Sequence, residues 1–344
     1  MKAIYITEYG NSDKAFDIRE TDIPSPEPKE VCIKVVSSGL NFADVVARRG
    51  LYQDAPPNPA VIGYDVSGYI HAVGNDVIDF EVGQKVVALT RFGGYAEYAI
   101  AMVEGVAALP EEYDFHKATA LATQACTAYF CAADCISLHE GDTVLVQAAA
   151  GGVGSILVQL AKHYGCKVYG TASTKKQDFL RELGVDVPID YTKDNFKDII
   201  KKENPDGIDV VFDSIGGKSF SHGMKVLGPG GRMVSYGAAS QIKGNKTNKL
   251  KAAGVVFGFG LFSPIGLLMN SKSIITVNML RIADYKANVF QHVMREVVKL
   301  ADQGVINPTL SKTFAASDVA GAHDFLESRQ SIGKVTLSWE TLNI

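Results

Sequence analysis

Cysteine is scarce and scattered in this 344-residue chain: Cys32, Cys126, Cys131, Cys135 and Cys166 are odd in number and include no Cys-x-x-Cys pair. That excludes a disulfide framework and leaves the thiols as reduced core residues. Cys131 and Cys135 stand four apart on a predicted helix, but no histidine lies within a turn of them, so a metal site is not expected there. Charge of one sign is also lacking. The 34 basic and 38 acidic residues leave a net charge of −4 without a long run of either sign. Nucleic acid is therefore excluded as an expected partner. The opening "MKAIYITEYG" alternates like a strand and has neither an apolar signal core nor an Arg/Ser-rich transit character; the expected location is cytoplasmic.

What is present falls into two rhythms. The early part carries short alternating stretches broken by Gly and Pro, such as "EVCIKVVSSG", "DVSGYIHAVG" and "GGYAEYAIA". These predict a folded-over, barrel-like β domain. From about Thr127 apolar strands alternate with helices: "DTVLVQAA", "GSILVQLAKHYG", "KVYGTAS", "KQDFLRELG", "IDVVFDSIGG" and "GRMVSYGAA". That alternation predicts a parallel sheet covered on both faces. An amphipathic helix near 286–303, a helix near 319–329 and the strand "GKVTLSW" close the chain. The expected division is 1–123 for the first part of the β-rich domain, 124–280 for the α/β domain, and 281–344 for a segment completing the first.

Residues 252–269, "AAGVVFGFGLFSPIGLLM", contain no charge. Four glycines and Pro264 predict a poor helix, so a transmembrane span is not expected. The segment reads as a lid or channel wall, or as a peripheral membrane or partner surface.

The stretch "VLVQAAAGGVGSILVQLAK" runs strand, glycine turn, helix. Its turn, Ala149-Ala150-Gly151-Gly152-Val153-Gly154, has alanine where a dinucleotide fingerprint has its first glycine. The strand before it and the helix after it supply the context such a fingerprint needs, with free N–H groups at the helix start for a pyrophosphate. The end of the next strand, where an acid would hold the ribose hydroxyls of NAD, reads Thr171-Ala172-Ser173-Thr174-Lys175-Lys176. Hydroxyls and ammonium groups suit a 2′-phosphate, and NADPH/NADP+ is the expected cofactor.

Together with "SGLNFADVVARRGLY" and "VIGYDVSG", these residues resemble the medium-chain dehydrogenase/reductase superfamily, and within it the zinc-independent quinone oxidoreductase branch; "GTASTKK" and "PIDY" are similar to the vesicle amine transport protein homologues. The resemblance implies an α/β chain with a GroES-like β-barrel domain, a Rossmann domain and a homodimer formed through the Rossmann sheet edge, where "SIITVNML" is an apolar edge strand. It matches the catalytic zinc ligands of metal-dependent relatives to Asn41, Tyr64 and Thr123, none of them an ordinary zinc ligand, so no metal is expected. Asn41, Tyr52 and Tyr64 become the candidate catalytic donors, with Asp44 holding the Asn41 loop. The resemblance assigns Thr127 to the nicotinamide side, Tyr191 to the adenosine phosphate and Lys334 to the cofactor phosphates. Ala150, Gly151, Gly152, Val153, Gly154, Ser173, Lys176, Ser235, Tyr236 and Gly237 complete the expected cofactor set. The implied reaction is hydride transfer to a quinone or related conjugated carbonyl. Two alternatives stay open: an alkenal or 2-enoyl reductase, and an NADPH-binding lipid- or partner-interaction protein with little catalysis.

Overall fold

The computed structural model describes residues 1–238 and 259–340. They form two compact units, one of Met1–Cys126 with Met279–Ile344 and one of Thr127–Asn278.

The first unit is β-rich. Its larger sheet runs Leu310–Ala315, Lys334–Ser338, Glu30–Leu40, Asp65–Val73, Lys85–Leu89, Val106–Ala108, with Tyr98–Met102 also pairing Glu30–Leu40. The central strand Glu30–Leu40 is interrupted by register shifts at Cys32/Ile33 and Val35/Ser37. Such bulges bend a strand and raise its twist, which lets residues on both faces be enclosed. A second sheet of Phe16–Glu20, Lys2–Ile6 and Ala60–Val61 covers it, and Ile4, Ile6, Ile33, Val66, Val86, Tyr95 and Leu337 share one core. The strand Lys334–Ser338 inserts from the far end of the sequence, pairing Thr336 with Gly39 and Val335 with Leu40.

The second unit holds a wholly parallel six-stranded sheet: Val187–Asp190, Lys167–Ala172, Thr143–Val146, Ile208–Asp213, Leu227–Ser235, Ser273–Thr276. In chain order this is 3-2-1-4-5-6, the order of a dinucleotide-binding sheet, with its switch point between Thr143–Val146 and Ile208–Asp213. Leu145, Tyr169, Ile189, Val211 and Met233, one from each of five strands, bury a common face beneath Ile200 and Phe220. On the helix Gly152–His163, Ile156, Leu157, Val158 and Leu160 are buried, each contributing about 1.5–3 kcal/mol.

Two expectations change in detail. The edge strand stops at Thr276, and the following residues turn into the helix Met279–Tyr285, so "SIITVNML" is only half strand. The stretch from Leu121 to Asp134 is helical but mostly in π turns, with α geometry confined to Cys126–Tyr129. Within the apolar segment the described helix is short, and Pro264 stands at its start: it opens Pro264–Met269, where the Ser263 side chain accepts from Gly266 N. Proline is suited to that first position because its missing N–H has no intrahelical role there. Of the apolar segment, residues 252–258 lie outside the described residues. No helix among the described residues is long and apolar enough to cross a membrane.

Candidate active site

In the α/β unit, the expected cofactor residues gather at the carboxyl ends of the strands. The turn after Thr143–Val146 is held by Thr171, whose hydroxyl accepts from Ala148 N at 3.1 Å and donates to Gln147 Oε1 at 3.0 Å. Gly151 then caps the helix Gly152–His163 with no side chain on the first N–H groups. Gly154 must be glycine for packing: a Cβ there would stand 2.9 Å from Ala149 Cα. Gly151, by contrast, is open apart from Ala148 O at 3.2 Å, and Gly151, Gly152 and Val153 are half-buried rather than sealed. Ala150 is buried in the turn.

Ser173 and Lys176 follow the strand Lys167–Ala172, both half-buried, the first just before and the second at the end of the short 3-10 turn Thr174–Lys176. Burial pushes the Lys176 ammonium below its usual range. The nearest strand-end acid, Asp190, is engaged elsewhere. The hydroxyls of Thr174 and Thr192 donate to it at 2.5 and 2.7 Å, and these bonds hold its carboxyl down to about 2. Tyr191 beside it is exposed. Ser235 is buried at the end of Leu227–Ser235; Tyr236 is half-buried and Gly237 exposed. Thr127 is buried on the first helical turn of this unit. Sequence reasoning missed Gln147, the polar residue closing an apolar strand: it is 2% exposed and its Nε2 has no partner. An open glycine turn, an orphaned buried donor and the strand end at Ser173–Lys176, which carries hydroxyls and ammonium groups and no acid of its own, together fit a phosphorylated dinucleotide.

In the β-rich unit a second set converges. Asn41 directly follows the central strand and caps the helix Phe42–Arg48. Its backbone N–H donates to Asp44 Oδ2 at 2.7 Å, the return bond of a capping box. Its side-chain Nδ2 donates to Asp65 Oδ2 at 2.6 Å, while its Oδ1 accepts from Lys334 Nζ at 3.1 Å and Gln124 Nε2 at 3.4 Å. Lys334 is ion-paired with Asp65, both fully buried side chains, and Thr123 donates its hydroxyl to the other Asp65 oxygen. Lys334 thus belongs to this unit and to this cluster.

Tyr64, next to Asp65, is buried, and its ring meets Tyr52 edge to face at 6.4 Å and Phe92 at 5.0 Å. Its hydroxyl makes no hydrogen bond of ordinary geometry. Burial raises both phenols above their usual range, so they remain protonated donors. Asp44 is completely buried with Oδ1 unpartnered, and burial lifts its carboxyl to about 7, reinforced by the Asp65 charge. The residues matched to zinc positions are therefore an amide, a phenol and a hydroxyl, with an ammonium already among them. They do not fit a divalent cation. Among the described residues no group of three or more His, Cys, Asp or Glu side chains is gathered.

Residues 27–111 match the alcohol dehydrogenase GroES-like domain, and residues 152–298 match the zinc-binding dehydrogenase family. The synaptic vesicle membrane protein VAT-1 homolog of Danio rerio is 34% identical over 99% of this chain and 70% of its own. Among solved structures, a quinone oxidoreductase of Pseudomonas syringae pv. Tomato DC3000 superposes with a TM-score of 0.84 at 26% identity, over 98% of this chain and 99% of that one. The CurK enoyl reductase does so at 0.83 and 26%, over 98% of each chain. A mycobacterial protein complexed with NADPH does so at 0.84 and 28%, over 98% of this chain and 99% of that one. With a GroES-like unit, a Rossmann sheet in the order 3-2-1-4-5-6 and relatives along its whole length, the chain belongs to the medium-chain dehydrogenase/reductase superfamily of oxidoreductases, alongside the VAT-1 homologues.

Proposed function

We propose that the protein is an NADPH-dependent, zinc-independent reductase of quinones or related conjugated carbonyls. The observation that carries the reading is the strand end at Ser173 and Lys176, where a hydroxyl and an ammonium stand and the sequence from Gly170 to Gln177 holds no acid to oppose a 2′-phosphate. NADPH, when bound, supplies the hydride. Ser173 and Lys176 hold its 2′-phosphate, and the N–H groups at the start of Gly152–His163 receive the pyrophosphate. Asn41, Tyr52 and Tyr64 donate hydrogen bonds to the oxygen on which negative charge develops. A conjugated acceptor spreads that charge over its π-system and needs less local stabilisation than a simple ketone.

Stopped-flow oxidation of NADPH and NADH with a panel of quinones and enones tests this. Turnover should favour NADPH, and absence of turnover above background with either acceptor class defeats the reading. Lys176→Glu places a carboxylate where the phosphate is held and should shift the preference toward NADH by at least about tenfold, since charge-assisted bonds contribute about 1.5–3 kcal/mol.

The similarity to an enoyl reductase favours a second reading, reduction at the β-carbon of an enone or 2-enoyl compound. Deuterated NADPH separates the two, because only that route leaves deuterium on carbon. A third reading concerns contacts: Leu261, Ile265, Leu268 and Met269 are exposed apolar side chains. They support a peripheral membrane contact, to be checked by liposome co-sedimentation that Ile265→Asp with Leu268→Asp abolishes. For assembly we propose a homodimer through the edge strand Ser273–Thr276, whose mass light scattering measures.

A further inference from the structure

An asparagine that donates to a substrate oxygen must first be held the right way round, because its two ends differ in bonding but hardly in shape. In Asn41 the oxygen end faces cations and donors, Lys334 Nζ at 3.1 Å and Gln124 Nε2 at 3.4 Å, and the nitrogen end faces the Asp65 carboxylate at 2.6 Å. A turned-over amide would set its NH2 against the ammonium and its oxygen against the carboxylate. The Lys334–Asp65 pair is itself an unusual construction. Gly39 pairs with Asp65 on one side and with Thr336 on the other, so the pair reaches across the central strand directly over Gly39. A Cβ on Gly39 would stand 2.7 Å from Lys334 Nζ and 3.0 Å from Asp65 Cβ. A bare glycine between the two charges is what permits the crossing.

We infer that Lys334 is a positioning residue: its ammonium, anchored by Asp65 across Gly39, fixes the Asn41 amide so that the second N–H of Nδ2 is presented to the developing oxyanion. This rests on the proposed reduction. Buried ion pairs add little net stability over well-packed apolar residues of the same volume, so stability alone does not account for the arrangement. The role also differs from contact with cofactor phosphates, for the ammonium is spent on Asp65 and Asn41.

Three variants test it: Gly39→Ala, which displaces the ammonium and keeps its charge; Lys334→Met; and Lys334→Met with Asp65→Asn, which restores neutrality if the single change does not fold. Each is measured for melting temperature, for NADPH affinity by fluorescence titration, and for kcat and KM with a quinone that the wild type reduces. The Asn41 side-chain NH2 signals are followed in protein labelled with 15N-asparagine and assigned by their loss in Asn41→Asp. The expected result is a kcat fall of about 100-fold, the scale of a lost oxyanion donor, with NADPH affinity within about twofold and the Asn41 proton shifts drawn together. Retained kcat in the folded double variant overturns the proposal and makes the pair structural. A tenfold loss of NADPH affinity with kcat retained overturns it in favour of a phosphate contact. The amide signals are read even if no acceptor is reduced; unchanged Asn41 shifts in all folded variants then overturn the positioning itself, separately from the failure of the proposed reaction.

Discussion

Asp44 shows how a single buried group can set a pH response. Its carboxyl is lifted from 3.8 to about 7 in the folded chain, so the folded state holds a proton that the unfolded state has released. Its contribution to stability is therefore fully present below about pH 4 and is lost as pH rises through about 7, at up to about 1.4 kcal/mol per unit. His323 runs the other way. Burial, with the Arg48 charge second, lowers it to about 3, so its contribution is present above 6.5 and is lost as pH falls through 3. The two slopes overlap and partly cancel. The difference between wild type and Asp44→Asn isolates one of them: in urea unfolding it should change by several kcal/mol between pH 4 and 7 and then level off. Asparagine keeps an acceptor for Asn41 N, so the cap survives the substitution. At the same scale, Asn41→Ala should lower kcat by about 100-fold with NADPH affinity retained, as removal of an oxyanion donor does.

Elements were legible in the sequence where local chemistry decides them. The strand–glycine–helix turn and the hydroxyl/ammonium strand end could be read in place, because each is a short contiguous stretch with one fitting backbone. Gly154→Val should cost several kcal/mol and weaken NADPH binding together, since its Cβ strikes the turn at Ala149 and must push the helix off the sheet; thermal melts with and without NADPH check this. The short helix that Pro264 opens was not legible, because proline stops a helix from within but suits its first position, and only the Ser263 cap tells which applies. The Asn41–Lys334–Asp65 cluster was legible only in its parts. Lys334 lies 293 residues from Asn41, and the strand pairing that joins them leaves no local signal. Gln124 gave none either, sitting in a π turn that periodicity reads as ordinary helix.

For the whole molecule, the alternation of strand rhythms was enough to separate a β-rich from an α/β part, because burial on one face or both dictates different patterns along a strand. The exact seam was not written in composition. The second unit begins at Thr127, inside one continuous helical stretch, with no linker of glycine or proline to mark it.

The late strand Lys334–Ser338 has a consequence for how the chain is made. It lies between Leu310–Ala315 and Glu30–Leu40, so the sheet of the first unit stays divided until Lys334–Ser338 has been synthesised. The α/β unit, all of whose strands precede residue 277, can close while its neighbour waits. A chain cut after Ser328 should therefore keep protease-resistant material from the α/β unit, its strands from Thr143–Val146 to Ser273–Thr276 among it, and lose the first unit to digestion, with strands made early among the last to be secured.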